Sequence, residues 1–307
     1  MTDHEPARKP RFGLLGAGPW AERTQAPALA SHRGIEFAGV WARRPEAAAD
    51  LAAAHGTRAF SGDSGAEELF ADCDAVAFAL PPDVQASWAV RAAEAGCHLL
   101  LDKPVATTVA GARTVAEAAE RAKVASVVFC TLRFAAQTRP WIEQQAAVGG
   151  WFTAQARWLG SLYAADGAPS EAGGYAAARW RQEKGGLWDV GPHVLSVLIP
   201  VLGDVTDVTA ARGPLDTVHL VLRHASGASS TVTVGLSAPP KAAAVGVELL
   251  GDQGRVELPQ WSDAIASFGS AIDGLLEASR TGQAHECDVR WGMRLTQILA
   301  EAESQLG

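Results

Sequence analysis

Short apolar runs alternate with alanine-rich amphipathic stretches through the first 130 residues. The apolar runs at 11–15, 35–41, 74–80, 98–101 and 125–130 predict buried strands. The stretches at 21–31, 45–55, 85–95 and 107–122 predict helices. Punctuation agrees with these spans. Pro45 suits a first helical position, Pro81-Pro82 ends a strand, and Gly96 stops a helix. Strand–helix alternation of this kind predicts a parallel sheet with helices on both faces. Right-handed crossovers then bring the carboxyl ends of all these strands to one edge, where open α/β sheets bind ligands.

Beyond residue 130 the pattern changes. A helix is expected over 138–147, a strand over 151–159 and a long Gly/Ala/Ser-rich loop over 161–174, followed by an aromatic and basic segment at 175–181. Residues 205–258 are strand-rich, with runs at 218–223, 230–236 and 245–250 that suit a meandering antiparallel sheet. Helices are expected over 262–280 and 289–306. The predicted organisation is a first domain over 1–130 and a second over 131–307, with the last helix packing back on the first domain.

Four turns fall at the predicted ligand edge. The first strand runs into Gly16-Ala17-Gly18-Pro19-Trp20-Ala21, spaced G-x-G-x-x-A. Glycine allows the tight turn and close approach to a pyrophosphate, and the helix amides that follow suit an anion. The second strand ends in Trp41-Ala42-Arg43-Arg44, where a ribose-binding acid is expected in NAD-specific sites. A carboxylate there repels a 2′-phosphate and arginine attracts one, so Arg43 and Arg44 favour NADP(H) over NAD(H), with NAD(H) remaining possible. The bland alternative is a pair of solvated charges. Leu80-Pro81 and Asp102-Lys103-Pro104 close the third and fourth predicted strands. In the second half, Asp189, His193 and Ser196 are spaced to share one helix face, with Pro192 fitting a first turn.

The order of Gly16 to Ala21, the Pro81-Pro82 pair, Glu94-Ala95-Gly96-Cys97-His98, Asp102-Lys103-Pro104 and the block Gly185 to His193 resembles the glucose–fructose oxidoreductase/inositol dehydrogenase family. The resemblance implies an N-terminal Rossmann domain and a C-terminal α/β domain with a large open, mainly antiparallel sheet. It also implies NAD(P)-dependent oxidation or reduction of sugars, cyclitols and related hydroxy compounds. Lys103 takes the place between nicotinamide and substrate, and Asp189 and His193 the substrate pocket, with His193 as acid/base. Arg133 is expected either to reach cofactor or substrate or to pair with a carboxylate. The segment 175–181, with Arg179, Trp180 and Arg181 close to the signature, is expected either to wall the pocket, with Trp180 meeting substrate, or to be an ordinary surface loop. Four positions depart from the family pattern: Asp102 stands for the usual Glu, Pro82 for Asn, Gln85 for His, and Ser196 for Asp.

Composition narrows the partners. The 307-residue chain carries a net charge of −8 and no long basic run, which argues against nucleic acid and anionic membrane as main partners. No apolar stretch stands out as a bilayer span, and the polar opening residues 1–10 point to a cytoplasmic protein. The four cysteines form no C-x-x-C pair and are expected to be reduced thiols. No metal-ligand cluster is seen. The expectation is therefore a homodimeric or homotetrameric oxidoreductase that moves hydride between NADP(H) and a secondary alcohol or carbonyl of a small sugar- or cyclitol-like molecule. The alternatives are a non-catalytic NADP(H) sensor of the same fold, which has no need of Lys103, Asp189 and His193 together, and an enzyme that recycles held NAD in glycoside cleavage or epimerisation.

Overall fold

The computed structural model describes residues 8–164, 176 and 178–307. Most of the predicted loop at 161–174, Tyr175 and most of the polar opening stretch lie outside the described residues. The first sheet has six parallel strands in the order β3-β2-β1-β4-β5-β6. They are Arg11–Leu15 (β1), Glu36–Trp41 (β2), Arg58–Phe60 (β3), Ala75–Phe78 (β4), His98–Asp102 (β5) and Ser126–Phe129 (β6). Strands β4 and β6 are buried at every position. That is why they read as continuous apolar runs rather than alternating ones.

Two elements escape the sequence pattern. β3 spans three residues and is largely exposed at the sheet edge. The helix Gly62–Asp72 opens on glycine and buries a narrow stripe of Gly65, Ala66, Leu69 and Phe70. The apolar run at 74–80 thus contributes the fourth strand, not the third. The next helix begins at Pro82, not Gln85, because proline is tolerated in the first turn. The stretch after the Gly-rich turn opens with one π-helical segment, Ala21–Gln25, before the α-helix Ala26–Ser31.

The second sheet runs Gly254–Glu257 (β12), Ala244–Gly251 (β11), Trp151–Leu159 (β7), Ser229–Gly235 (β10), Val218–His224 (β9) and Val205–Arg212 (β8), in that spatial order. The last three form the expected antiparallel meander. β7 lies parallel to β10, so the sheet is mixed, mostly antiparallel. Its inner face is cut low by Ala154 and Ala156, and the long helix Arg179–Leu202 packs there through Leu187, Val190, Val194 and Leu198. Pro192 lies inside this helix and not in its first turn. The break comes instead at Gly185, whose φ of 62° and ψ of −163° belong to a region essentially reserved for glycine. This helix is also long and apolar enough to cross a membrane by length and composition, contrary to the reading of the sequence. Its most apolar window is 83% buried, as befits a core helix.

The two C-terminal helices return to the first domain, the last of them bridging it to the second core. After β6 the chain leaves for the second sheet, so part of one face lacks a crossover helix of its own. Ala264–Thr281 fills it: Phe268, Ala271, Ile272 and Leu275 join Phe12, Leu14, Val127 and Phe129 in one cluster. Val289–Ser304 packs between Val109–Ala122 and Arg179–Leu202. Phe268 meets Phe129 edge-on, with ring centroids 5.0 Å apart. Phe268→Ala is expected to cost about 3–5 kcal/mol of unfolding free energy, the usual range for a buried phenylalanine. Denaturant titration giving a loss below about 1 kcal/mol would show that this helix is not part of the first core.

Candidate active site

The carboxyl edge of the first sheet gathers the predicted turns. Gly16 closes β1 with φ at 122°, and its amide donates to the Trp41 carbonyl at 2.8 Å. A Cβ built there would lie 2.3 Å from the Ala79 carbonyl oxygen, so only glycine fits. Gly18 differs. It has no positive φ, and a Cβ there would meet nothing within 4 Å. The protein itself does not require glycine at 18, but a pyrophosphate approaching the backbone does, and in this respect the turn fits a dinucleotide. Pro19 and Trp20 follow, and the Trp20 indole stacks toward Phe129, which ends β6. Ala42 is buried, with its amide donating to the Phe60 carbonyl at 3.2 Å. Arg43 and Arg44 are exposed beside it, and neither side chain has a partner among the described residues. Leu80 and Pro81 lie after β4 on the same edge.

The Asp102-Lys103 turn is pinned from below by Gln85. The Gln85 amide nitrogen donates to the carbonyls of Asp102 (2.9 Å), Val105 (3.1 Å) and Pro104 (3.2 Å), and its oxygen accepts from the Asp102 amide at 3.0 Å. Gln85 is fully buried, so every polar atom of this side chain is satisfied by the turn it holds. Asp102 accepts from the Lys103 amide at 2.8 Å. Burial pushes its carboxyl up to about 6 against the pull of the Lys103 charge.

Lys103 reaches across to the long helix. Its Nζ donates to the Asp189 main-chain oxygen at 2.6 Å and to Asp189 Oδ1 at 3.0 Å. Arg181 grips the same carboxylate through Nε to Oδ2 at 2.9 Å and Nη2 to Oδ1 at 3.3 Å. Burial alone would raise the Asp189 carboxyl. Lys103 and Arg181 outweigh it by charge and hydrogen bonding, and hold the group well below the ordinary carboxylate range. His193 lies one turn further on. Its ring stacks on Trp158, centroids 4.7 Å apart at 19°, and Trp158 in turn leans on Trp261. His193 Nδ1 is enclosed without a partner among the described residues, which makes Nε2 the candidate to meet a ligand. His193 does not keep the ordinary pKa of a histidine acid/base. Burial first, then Lys103, push it well below the usual value, with Asp189 opposing.

Two further expectations change, and one open alternative is decided. Ser196 is fully buried, and its hydroxyl donates to the His193 carbonyl at 2.6 Å, so it is used up within the helix. Arg133 is buried, with Nη2 2.7 Å from Glu286 and Nη1 donating to the Ser196 carbonyl at 3.3 Å. This is the carboxylate pairing that the sequence left open. Trp180 is buried in the core beneath the Arg181 guanidinium, 4.6 Å from ring centroid to Cζ. Conversely, Arg181 and Trp158 were not singled out. Arg181 sat within a segment read as a possible wall. Period-two alternation with Ala154 and Ala156 placed Trp158 on the helix-facing side, but nothing local named its partner.

The two glycines separate structure from binding. Gly18→Ala is expected to leave thermal stability unchanged while weakening NAD(P)H binding at least about tenfold, equivalent to about 1.4 kcal/mol. Gly16→Ala is expected to lower stability as well, because the new methyl meets a carbonyl. Fluorescence titration showing wild-type affinity in Gly18→Ala would remove the pyrophosphate from this turn.

Comparison with known proteins gives the same arrangement. Residues 10–129 match the family described as "Oxidoreductase family, NAD-binding Rossmann fold", and residues 153–257 match the "GFO/IDH/MocA C-terminal domain". Among curated relatives, a dTDP-3,4-didehydro-2,6-dideoxy-alpha-D-glucose 3-reductase of Streptomyces antibioticus is 34% identical over 131 residues, 42% of this chain and 40% of that one. D-glucoside 3-dehydrogenase of Escherichia coli is 30% identical over 198 residues, 63% of this chain and 54% of that one. The matches thus span about half or less of those relatives. Among solved structures, the WlbA dehydrogenase of Bordetella pertussis, in complex with NADH and UDP-GlcNAcA, superposes with a TM-score of 0.81 at 24% identity, covering 97% of this chain and 96% of that one. A 3-ketoreductase of Actinomadura kijaniata, in complex with TDP-benzene and NADP, gives 0.73 at 17% identity, covering 97% and 98%. At such identities the superpositions show the shared fold. The two family matches together take in most of the chain, which belongs to the GFO/IDH/MocA family of oxidoreductases with an NAD-binding Rossmann fold.

Proposed function

We propose that this chain is an NAD(P)-dependent dehydrogenase or reductase acting at a secondary alcohol or carbonyl of a sugar- or cyclitol-like substrate. The observation that carries the reading is Lys103, anchored on the cofactor edge and held by Asp189 of the substrate-side helix. The relatives named for sugar reduction and oxidation support the substrate class. Nicotinamide, when bound, supplies or takes up the hydride, and the protein has to position the carbon and manage the proton on its oxygen. Lys103 donates a hydrogen bond to that oxygen and stabilises charge developing there. Asp189 orients the substrate and Lys103 together. His193 is neutral at working pH, so its Nε2 accepts the hydroxyl proton in oxidation, but the resulting cation is disfavoured in this environment. Lys103 therefore carries the larger share. Residues 1–130 form the cofactor domain and 131–307 the substrate and assembly domain in this reading.

Lys103→Met is expected to reduce turnover by about 10²- to 10⁴-fold, the usual contribution of a positioned acid–base group. His193→Asn should fall at the lower end of that range, with NADPH affinity little changed. Steady-state rates on a panel of sugars, cyclitols and nucleotide sugars, paired with cofactor titration, provide the test. Wild-type rates in both variants would refute the assignment.

Arg43, assisted by Arg44, favours NADP(H) over NAD(H) in this reading, since two unengaged guanidinium groups stand at the end of β2. A charge-assisted contact to the 2′-phosphate contributes roughly 1.5–3 kcal/mol, about 10- to 100-fold in affinity. Arg43→Ala should erase most of that gap. Equal or tighter binding of NADH by the wild type would exclude it.

Assembly is expected through the second sheet. Val221 is 49% exposed on β9, and its cross-strand neighbours are Thr209 and Thr231. A β-branched row on an open face suits a two-fold contact with a second copy. Sedimentation velocity at micromolar concentration should show a dimer or a dimer of dimers, and a monomer alone would count against it.

A further inference from the structure

We propose that Arg181 is a positioning residue of the site: by clamping both carboxylate oxygens of Asp189, it fixes the carboxylate and main-chain oxygen that present Lys103 to the substrate. The inference rests on the oxidoreductase reading above. It adds to it a residue outside the family signature that runs from Gly185 to His193.

The geometry is specific. Arg181 and Asp189 are eight residues apart, which on an unbroken helix means about 12 Å of rise. Nevertheless Nε lies 2.9 Å from Oδ2 and Nη2 lies 3.3 Å from Oδ1. The non-helical backbone at Gly185 makes this possible, because it separates the turn bearing Arg181 from the turns bearing Asp189 and His193. Both partners are largely buried, each with 12% of its side chain exposed, so the interaction is poorly screened by solvent. The Arg181 stem also packs on Trp180, which restricts where the guanidinium can point.

The consequence passes through Asp189 to Lys103. An aspartate side chain has few torsions. With Arg181 Nε on Oδ2 and Nη2 on Oδ1, the carboxylate is turned so that Oδ1 also accepts from Lys103 Nζ, and the Asp189 main-chain oxygen completes the seat. Among the described residues, the charged and titratable groups that face Asp189 are Lys103 and Asp102 from the end of β5, Arg181 and His193 from its own helix, and Tyr163 from the segment after β7. If Arg181 lost its charge, Lys103 would be the main cation left to keep the carboxylate ionised. Asp189 would then take a proton at higher pH than in the wild type, and would hold Lys103 less firmly as pH falls.

Two substitutions separate this role from simple packing. Arg181→Met keeps an unbranched stem over Trp180 and removes the charge. Arg181→Lys keeps the charge and loses the two-point grip. A positioning role predicts that the lysine variant outperforms the methionine variant. Turnover of Arg181→Met is expected to fall about 10- to 100-fold at neutral pH, comparable with the effect of a misplaced catalytic group. The acid limb of its pH–rate profile should move to higher pH, and Arg181→Lys should recover much of both. A packing role predicts the reverse order and an unmoved profile.

A second readout needs no substrate. Carboxyl-carbon NMR of the ligand-free protein, with Asp189 assigned through Asp189→Asn, should show its titration moving to higher pH in Arg181→Met than in the wild type. If Asp189 titrates alike in both proteins and the methionine variant matches the lysine variant in rate, the proposal is overturned. Should the wild type turn over no sugar, cyclitol or nucleotide sugar, the oxidoreductase reading falls. The NMR titration then still decides whether Arg181 sets the state of Asp189.

Discussion

The site depends on one buried carboxylate. Asp189 sits on a helix packed into the second core, and burial of that kind opposes ionisation. It stays ionised because Lys103 approaches from the first sheet and Arg181 from the adjoining turn. A charge pair of this sort is poor as a source of net stability, since desolvation offsets much of the attraction, but removing one partner is costly, typically about 3–5 kcal/mol. Its value lies in geometry. Lys103 ends a strand of one sheet and Asp189 belongs to the helix covering the other, so their contact sets the spacing between the nucleotide edge and the substrate-side helix.

Each partner is itself immobilised by groups that do no chemistry. Gln85 spends its whole amide on the turn that carries Lys103. Below the site, the long helix rests on small residues of β7, and its backbone break at Gly185 lets Arg181 reach Asp189. His193 is held by stacking on Trp158, and its inner nitrogen has no hydrogen-bond partner among the described residues. An imidazole so placed is well oriented and weakly basic. In the reading proposed above, that division leaves orientation to His193 and most of the electrostatic stabilisation to Lys103.

The C-terminal helices explain why the two sheets cannot be treated as separate units. Phe268 and Leu275 complete a core that begins with Phe12 and Leu14, more than 250 positions earlier in the chain. Arg133 and Glu286 make a second link of the same kind: the pair ties the helix after β6 to the segment before the last helix, and Arg133 also caps the Ser196 carbonyl. In this structure Arg133 and Ser196 are therefore engaged with the backbone of the helix that carries His193.

The division between sequence and tertiary structure follows from the range of the interactions. The parallel sheet was legible because fully buried strands leave continuous apolar runs, and the ligand edge followed from crossover handedness. The glycine turn at Gly16 and Gly18, the place of Lys103 at that edge and the shared helix face of Asp189 and His193 were legible because turn chemistry and helix spacing are local, while the roles proposed for the last three came with the family resemblance. Strand β3 left too short a signal, and the π-helical turn after Trp20 left none. The destination of Ala264–Thr281, the partner of Arg133, the inward hydroxyl of Ser196 and the stack of His193 on Trp158 were decided only in three dimensions. So was the protonation of Asp102 and His193: a side chain's reference pKa is a property of its type, whereas its actual value depends on burial and on charges brought close by distant parts of the chain. Arg181 marks the boundary most clearly. The glycine that lets it reach Asp189 is visible at position 185, but whether that glycine ends a helix or folds it onto itself is settled by what the packed core allows.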